Sequence, residues 1–235
     1  MRTFTSVADD DVRHHLEVLI DPASPQASYQ EAMVALGRRL GAEIARPLAM
    51  SGTEPVCVVC TVEDADFLAR GLIEGIENAG VDAKRLKLIC FWNERIRRFV
   101  GTERDLFDVA PVIKEYRELA SLGTAVLVVV KSIISGACVV KTNLAMLIDG
   151  VTPSRVVVAA PVMLKGADER LASEFTSEVA ARFEYLTFAI DDQKDQDDNV
   201  VPGIGGSVYE RLGFEAKNTH VPELVRQRRR RLATA

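Results

Sequence analysis

The stretch from Thr124 to Val140, TAVLVVVKSIISGACVV, holds the residues best placed for chemistry. It reads as a buried strand, a loop of small residues and a helix, the arrangement by which α/β proteins offer backbone N–H groups and a positive helix end to a phosphate. Ser135, Gly136, Ala137 and Cys138 are small enough for a ligand to touch their backbone. Lys131 stands at the strand end, where it would neutralise a ligand's phosphate or carboxylate. The plainer alternative lays it along the surface with its ammonium in water. A thiolate at Cys138 would be favoured by the helix start, against a simpler role as a small space-filler.

Other residue types invite the same weighing. Trp92, the single tryptophan, either stacks on a flat ring or fills core. Cys57 and Cys60 have a CxxC spacing, but side chains three apart on a strand point to opposite faces, so they read as core and not as a metal or redox pair. The acidic run from Asp191 to Asp198 resembles a solvated face more than a metal site. His14, His15 and His220 show no partner pattern.

The elements that would position these groups alternate along the chain. Val12 to Leu19 and residues 27–47 read as opening helices, the second carrying a stripe of Tyr29, Met33, Leu36, Leu40 and Ile44 that would also serve as a subunit interface. Apolar runs at Pro55–Val62, Leu86–Trp92, Val126–Val130, Arg155–Ala160 and Tyr185–Ile190 read as strands. Helices are expected at Asp66–Asn78, Val139–Ile148 and Asp168–Phe183. Continuous apolar strands separated by helices predict an α/β fold, a parallel sheet flanked by helices on both faces, with N-terminal helices. Ligands of such sheets bind beyond the strands' carboxyl ends. That rule selects the loops Glu63–Asp66, Asn93–Glu103, Val130–Cys138, Pro161–Gly166 and Asp191–Gly206.

Composition bounds the rest. The 235 residues, 48% of them hydrophobic, suffice for one domain over residues 1–225. The Arg-rich end, 226–235, reads as a solvated, disordered tail. A net charge of −5 argues against a nucleic-acid partner. No apolar run is long enough to span a bilayer, and the N-terminus lacks a secretion pattern, so a cytoplasmic location is expected.

Taken in order, these loops resemble uracil phosphoribosyltransferase. His15–Asp21 and Ala35–Glu43 look like that family's two opening helices, and Val157–Pro161 like its late strand and proline loop. Ala189-Ile190-Asp191 followed by Val200-Val201-Pro202-Gly203-Ile204-Gly205 is similar to the family's "AID…IVPGLGD" segment. The resemblance implies a phosphoribosyltransferase-like fold, a dimer or higher homo-oligomer, and a small-molecule ligand, either nucleobase-like or a phosphorylated sugar. It also implies a uracil pocket built from main-chain groups, here placed at Val201, Gly203 and Gly205, because a Pro-Gly-x-Gly loop brings peptide groups against a base edge without side-chain obstruction. Asp191 matches a family position and stands with Lys131 as a candidate catalytic group. The sequence fixes no cofactor; Mg2+ would accompany PRPP if PRPP is bound, held through carboxylates such as Glu63 and Asp64.

The departures from the pattern share one theme. The family's PRPP loop resembles "DPMLATGGS", and here Val130 or Lys131 falls on its aspartate. Its pyrophosphate loop, similar to "LRAGLGM", falls on Val62–Asp66, so that an arginine becomes Glu63. Its "YRDE" strand end falls on Phe91–Glu94, and a second arginine becomes Trp92. Two unit charges about 4 Å apart near a surface interact by about 4 kcal/mol, so replacing Arg by Glu beside pyrophosphate exchanges attraction for similar repulsion. Three readings follow. One is a diverged homologue that keeps a pocket for a planar ligand but serves another ligand or reaction. Another is a working uracil phosphoribosyltransferase with rearranged phosphate contacts, restored by Arg95, Arg97, Arg98 and Arg104. The last is a non-catalytic nucleotide-sensing or scaffold protein.

Overall fold

The computed structural model describes residues 1–50, 54–94, 96–99, 106–118, 126–136, 138–148, 153–214 and 219–233. The chain opens with a short strand β1 (Arg2–Phe4) and two helices, α1 (Asp10–Ile20) and α2 (Gln26–Met50). Asp9 starts α1 by accepting the Val12 N–H on its side chain, the usual way of satisfying an orphan donor of the first turn. Strand β2 (Val56–Thr61) runs into one helical turn, α3 (Val62–Asp64), then a π-helical turn (Ala65–Ala69), then α4 (Arg70–Asn78). Next come β3 (Leu86–Asn93), the hairpin β4 (Ile96–Phe99) and β5 (Leu106–Val109), β6 (Val112–Arg117), β7 (Val126–Val130) and β8 (Ile133–Ile134). Helix α5 (Cys138–Ile148) and β9 (Arg155–Leu164) precede two short helices, α6 (Ala167–Ala172) and α7 (Ser177–Ala180). The chain continues with β10 (Phe183–Asp191), β11 (Gln193–Lys194), β12 (Val200–Val201), α8 (Val208–Leu212) and α9 (Glu223–Ala233).

The main sheet has the order β1-β10-β9-β7-β2-β3-β6, with β8 pairing β9. Its central strands run parallel and its outermost, β1 and β6, antiparallel. This is the expected sheet flanked by helices. Alternate residues of each strand feed two cores. Val58, Cys60 and Val128 meet α1, α2 and α4 on one side, while Cys57, Val59 and Leu127 meet Leu144 of α5 and Leu171 of α6 on the other. Cys57 and Cys60 thus face opposite ways, as period-two geometry requires. No described helix is long and apolar enough to cross a membrane.

Helix α2 touches α4 and the π-helical turn before it backbone to backbone. A Cβ on Gly37 would lie 2.2 Å from the Leu68 carbonyl oxygen, and one on Gly41 2.1 Å from that of Leu72. Reciprocally, a Cβ on Gly71 would meet the Val34 oxygen at 2.2 Å and one on Gly75 the Arg38 oxygen at 2.2 Å. Glycine is demanded here by close approach, not by φ.

Several expectations need correction. The α2 stripe of Tyr29, Met33, Leu36, Leu40 and Ile44 is at most 2% exposed within this single chain, so it packs on its own sheet and offers no surface to a second subunit. Pro161–Leu164, read as a ligand loop, continues β9. Pro161 is tolerated in a central strand because it falls between the pairing of Ala159 with β7 and that of Val162 with β8, where no ladder donor is needed. The helix expected over 168–183 breaks into α6 and α7. The tail read as disordered forms α9 through Ala233. Its first N–H groups, of Glu223 and Leu224, are capped by the Asp66 carboxylate, Leu224 and Val225 are buried, and Arg228 donates to the Leu86 carbonyl at 3.2 Å.

Candidate functional site

The carboxyl end of the sheet is where ligands of such folds bind, and two loops expected to matter, after β2 and after β7, come together there. Lys131 leaves the end of β7 and points at the first turn of α3. Its ammonium donates to Asp64 Oδ2 at 2.7 Å, to Glu63 Oε1 at 3.0 Å and to Thr61 Oγ1 at 3.0 Å. An ammonium has three N–H groups, so every donor is used. The Thr61 hydroxyl donates in turn to Asp64 Oδ2 at 2.7 Å, and the Ser132 N–H to Asp64 Oδ1 at 3.0 Å. Tyr209, from α8, closes the cluster by donating to Glu63 Oε2 at 3.2 Å.

Burial and charge explain the titration of this group. Burial pulls the Lys131 pKa down, but the carboxylates of Asp64 and Glu63 more than reverse it and leave the value raised. The Tyr209 hydroxyl is raised chiefly by burial, then by the Glu63 charge. The two sign reversals seen in the sequence, a cation at 131 and an anion at 63, therefore compensate each other.

The magnesium ion that accompanies PRPP needs hard oxygen ligands. The acid expected after β7 is Val130 or Lys131 here, and the carboxylates opposite hold an ammonium. These residues do not fit the ion.

The second loop is closed differently. Asp191, fully buried at the end of β10, receives a two-pronged contact from Arg2, Nε to Oδ1 at 2.8 Å and a terminal nitrogen to Oδ2 at 2.8 Å. Oδ2 also accepts the Gly203 N–H at 2.8 Å, while Arg2 donates to the Gly203 carbonyl. The Ile204 carbonyl takes the Tyr29 hydroxyl at 2.9 Å. Gly203 and Gly205 have φ of 58° and 76°, and a Cβ on Gly205 would sit 2.0 Å from the Leu19 carbonyl oxygen. The Pro-Gly-x-Gly loop, entered through a cis Val201–Pro202 bond, is thus packed inward on α1 and α2. Gly203's peptide groups, which the sequence offered to a base edge, serve the fold, and Asp191 acts as a brace. Val201 remains 40% exposed.

The other candidates scatter. Trp92 is fully buried, its indole N–H donating to the His220 carbonyl at 2.9 Å and its ring lying under the Lys114 ammonium, so it fills core. Ser135 and Gly136 are partly exposed, with open space around the Gly136 Cα, and Cys138 begins α5. Ala137, Arg95 and Arg104 lie outside the described residues. Pairing of Ile133 and Ile134 with Val162 and Met163 commits much of the loop backbone to the sheet.

Sequence reasoning missed Thr61 and Tyr209 as members of the cluster, and Arg2 as the partner of Asp191. Asp64 lay in a selected loop as an acid that could join Glu63 in holding a metal ion, not as a partner of Lys131. Among the described residues, clefts of about 450 Å³, 290 Å³ and 240 Å³ lie on the helical face, away from this edge.

Neither a family model nor a curated protein matches the sequence. Among solved structures, the AQ2163 protein from Aquifex aeolicus is similar with a TM-score of 0.67 at 13% identity, over 89% of this chain and 97% of that one. That likeness shows a shared fold. Phosphoribosyltransferases also appear as neighbours, with lower scores. The adenine phosphoribosyltransferase of Trypanosoma brucei has a TM-score of 0.48 at 12% identity, over 96% and 94% of the two chains. The hypoxanthine-guanine enzyme of L. donovani has a TM-score of 0.41 at 15% identity, over 67% and 77%.

Proposed function

We propose that this chain is a cytoplasmic protein of phosphoribosyltransferase-like fold that transfers no phosphoribosyl group, the phosphate end of its ancestral site being sealed by an ion cluster. It acts as a binding or scaffold protein, and any small ligand it takes is neither PRPP nor a base read by the Pro-Gly-x-Gly loop. The observation that carries this reading is the state of Lys131: its three N–H groups are spent on Thr61, Glu63 and Asp64, inside the protein. Phosphoribosyl transfer relies on positioning and on stabilising a departing pyrophosphate. A site whose cation is already neutralised by its own carboxylates supplies neither.

The test is direct. Thermal unfolding is followed with PRPP and Mg2+, with uracil and with UMP, and UMP formation from uracil and PRPP is assayed at high protein concentration. No stabilisation by PRPP and no product are expected. Strong stabilisation by PRPP with Mg2+, or UMP synthesis that disappears in Lys131→Ala, would restore the transferase reading.

A further inference from the structure

Two charged features stand apart from the site. Helix α9 exposes Arg226, Arg229, Arg230 and Arg231 with one acid, Glu223, while Arg228 and the apolar residues Leu224 and Val225 dock it. The segment from Asp192 through the turn joining β11 and β12 exposes Asp192, paired to the N-terminal ammonium, and Asp195, Asp197 and Asp198, with one base, Lys194, paired to Asp198. That turn is ordered by its own bonds, Asp195 Oδ1 accepting the N–H groups of Asp197 and Asn199 at 2.9 Å each. Basic helix and acidic segment therefore oppose in sign.

They also lie at opposite edges of the sheet. The turn follows β10, next to the edge strand β1; α9 lies over the β3–β6 edge, where Arg228 reaches Leu86 and the Arg229 guanidinium covers the Tyr116 ring. Four strand spacings separate β10 from β3, roughly 20 Å of sheet. Charges that far apart are screened from one another within a molecule at ordinary salt. The chain's net charge of −5 makes a long polyanion a poor partner for it, whereas the chain itself carries a compact acidic segment of opposite sign.

We propose that a second copy of this chain is the partner: the basic face of α9 on one copy meets the Asp192–Asp198 turn of the next, head to tail. Such a contact joins two different patches, so it builds a ring or an open chain of subunits, not a two-fold dimer. It is independent of what happens at Lys131.

Sedimentation velocity in about 0.1 M and about 1 M salt, where the screening length falls from about 10 Å to about 3 Å, tests it first. Association that grows with concentration at low salt and vanishes at high salt is expected. Two exposed-surface variants then separate the patches: Arg226→Glu/Arg230→Glu spoils the helix, and Gln196→Lys/Asp197→Lys spoils the turn. Each alone should weaken association about tenfold or more, because opposed charges become like charges. Mixed together, they retain one good patch each and should form a one-to-one pair that grows no further. A parent chain that stays monomeric at low salt, oligomers indifferent to both variants, or variants that are not rescued by mixing would overturn the proposal. So would a monomer whose arginine face binds single-stranded RNA and loses it in Arg226→Glu/Arg230→Glu.

Discussion

The two halves of the sheet's carboxyl edge are held by the same kind of contact made from different parts. After β2 and β7, a lysine is enclosed by two carboxylates and a hydroxyl. After β10, an arginine grips one carboxylate with two nitrogens and donates to the Gly203 carbonyl, while that carboxylate accepts the Gly203 N–H. A compact ammonium suits the first place because three acceptors converge on it from one side; a flat fork suits the second because it must span a carboxylate and a carbonyl at once. The lysine cluster keeps more carboxylates than cations, so its fit depends on one proton. The arginine bracket is balanced in charge, one guanidinium to one carboxylate. Both are closed by partners from within the chain.

Removing the lysine should have the largest effect. Lys131→Met leaves two buried carboxylates facing each other, and we expect a loss of about 3–5 kcal/mol in urea unfolding. Adding Glu63→Gln and Asp64→Asn to that variant should recover most of it; failure to recover would mean the cluster's charges are not what sets the cost. Asp191→Ala strips partners from Arg2 and from the Gly203 N–H and should cost about 3 kcal/mol by the same measurement. Arg2→Lys keeps the charge but loses the fork and should cost about 1–2 kcal/mol, whereas equal stability would show that geometry is unimportant there.

Alkaline pH separates the two halves with the smallest effect. Lys131 has a raised pKa, and so do Tyr116, Tyr185 and Cys57, each pushed up to about 12 mainly by burial. Each group holds its proton longer in the folded chain than in the unfolded one. Stability is therefore complete below the unfolded values, about 8.5 for the thiol and about 10 for the others, and falls as pH climbs toward the folded ones. Unfolding free energies measured from pH 8 to 11 should show this fall, at most about 1.4 kcal/mol per pH unit per group. Lys131→Met should fall less steeply above about pH 10.4, while Arg2→Ala should fall as the parent does. Parallel curves for all three would remove Lys131 from the account.

Much of the fold was legible because its central strands are continuous apolar runs. VCVVCT, LKLICFW and VLVVV leave little choice but buried parallel strands, and the α2 stripe could only be a packed helix. Short edges were not legible. Arg2–Phe4 is held by pairing with β10, a partner nearly the whole chain away, and VIKEYR, an edge strand paired only to β3, carries three exposed residues that break its apolar pattern. The end of the chain misled because Arg228 is a docking residue hidden in a run of solvent-facing arginines. Its cap, Asp66, comes from a helix turn far upstream.

At the site, the residues with wrong signs were visible one by one, but not that they answer each other. Glu63 and Lys131 are 68 positions apart, and only the parallel pairing of β2 with β7 puts them side by side. Likewise, Pro-Gly-x-Gly announced a loop of unusual backbone, yet nothing local said which way its peptide groups would turn. The paired glycines of α2 and α4, each two spaced by four, were a readable sign of close helix contact.

That seam has a consequence for how this protein can change. Where main chains abut, no rotamer can yield, and an added methyl has to prise two helices apart. The spacing of that helix pair is thereby pinned, and the loops at the far rim can exchange acid for base, or fill a hollow from within, without the frame that carries them having to readjust.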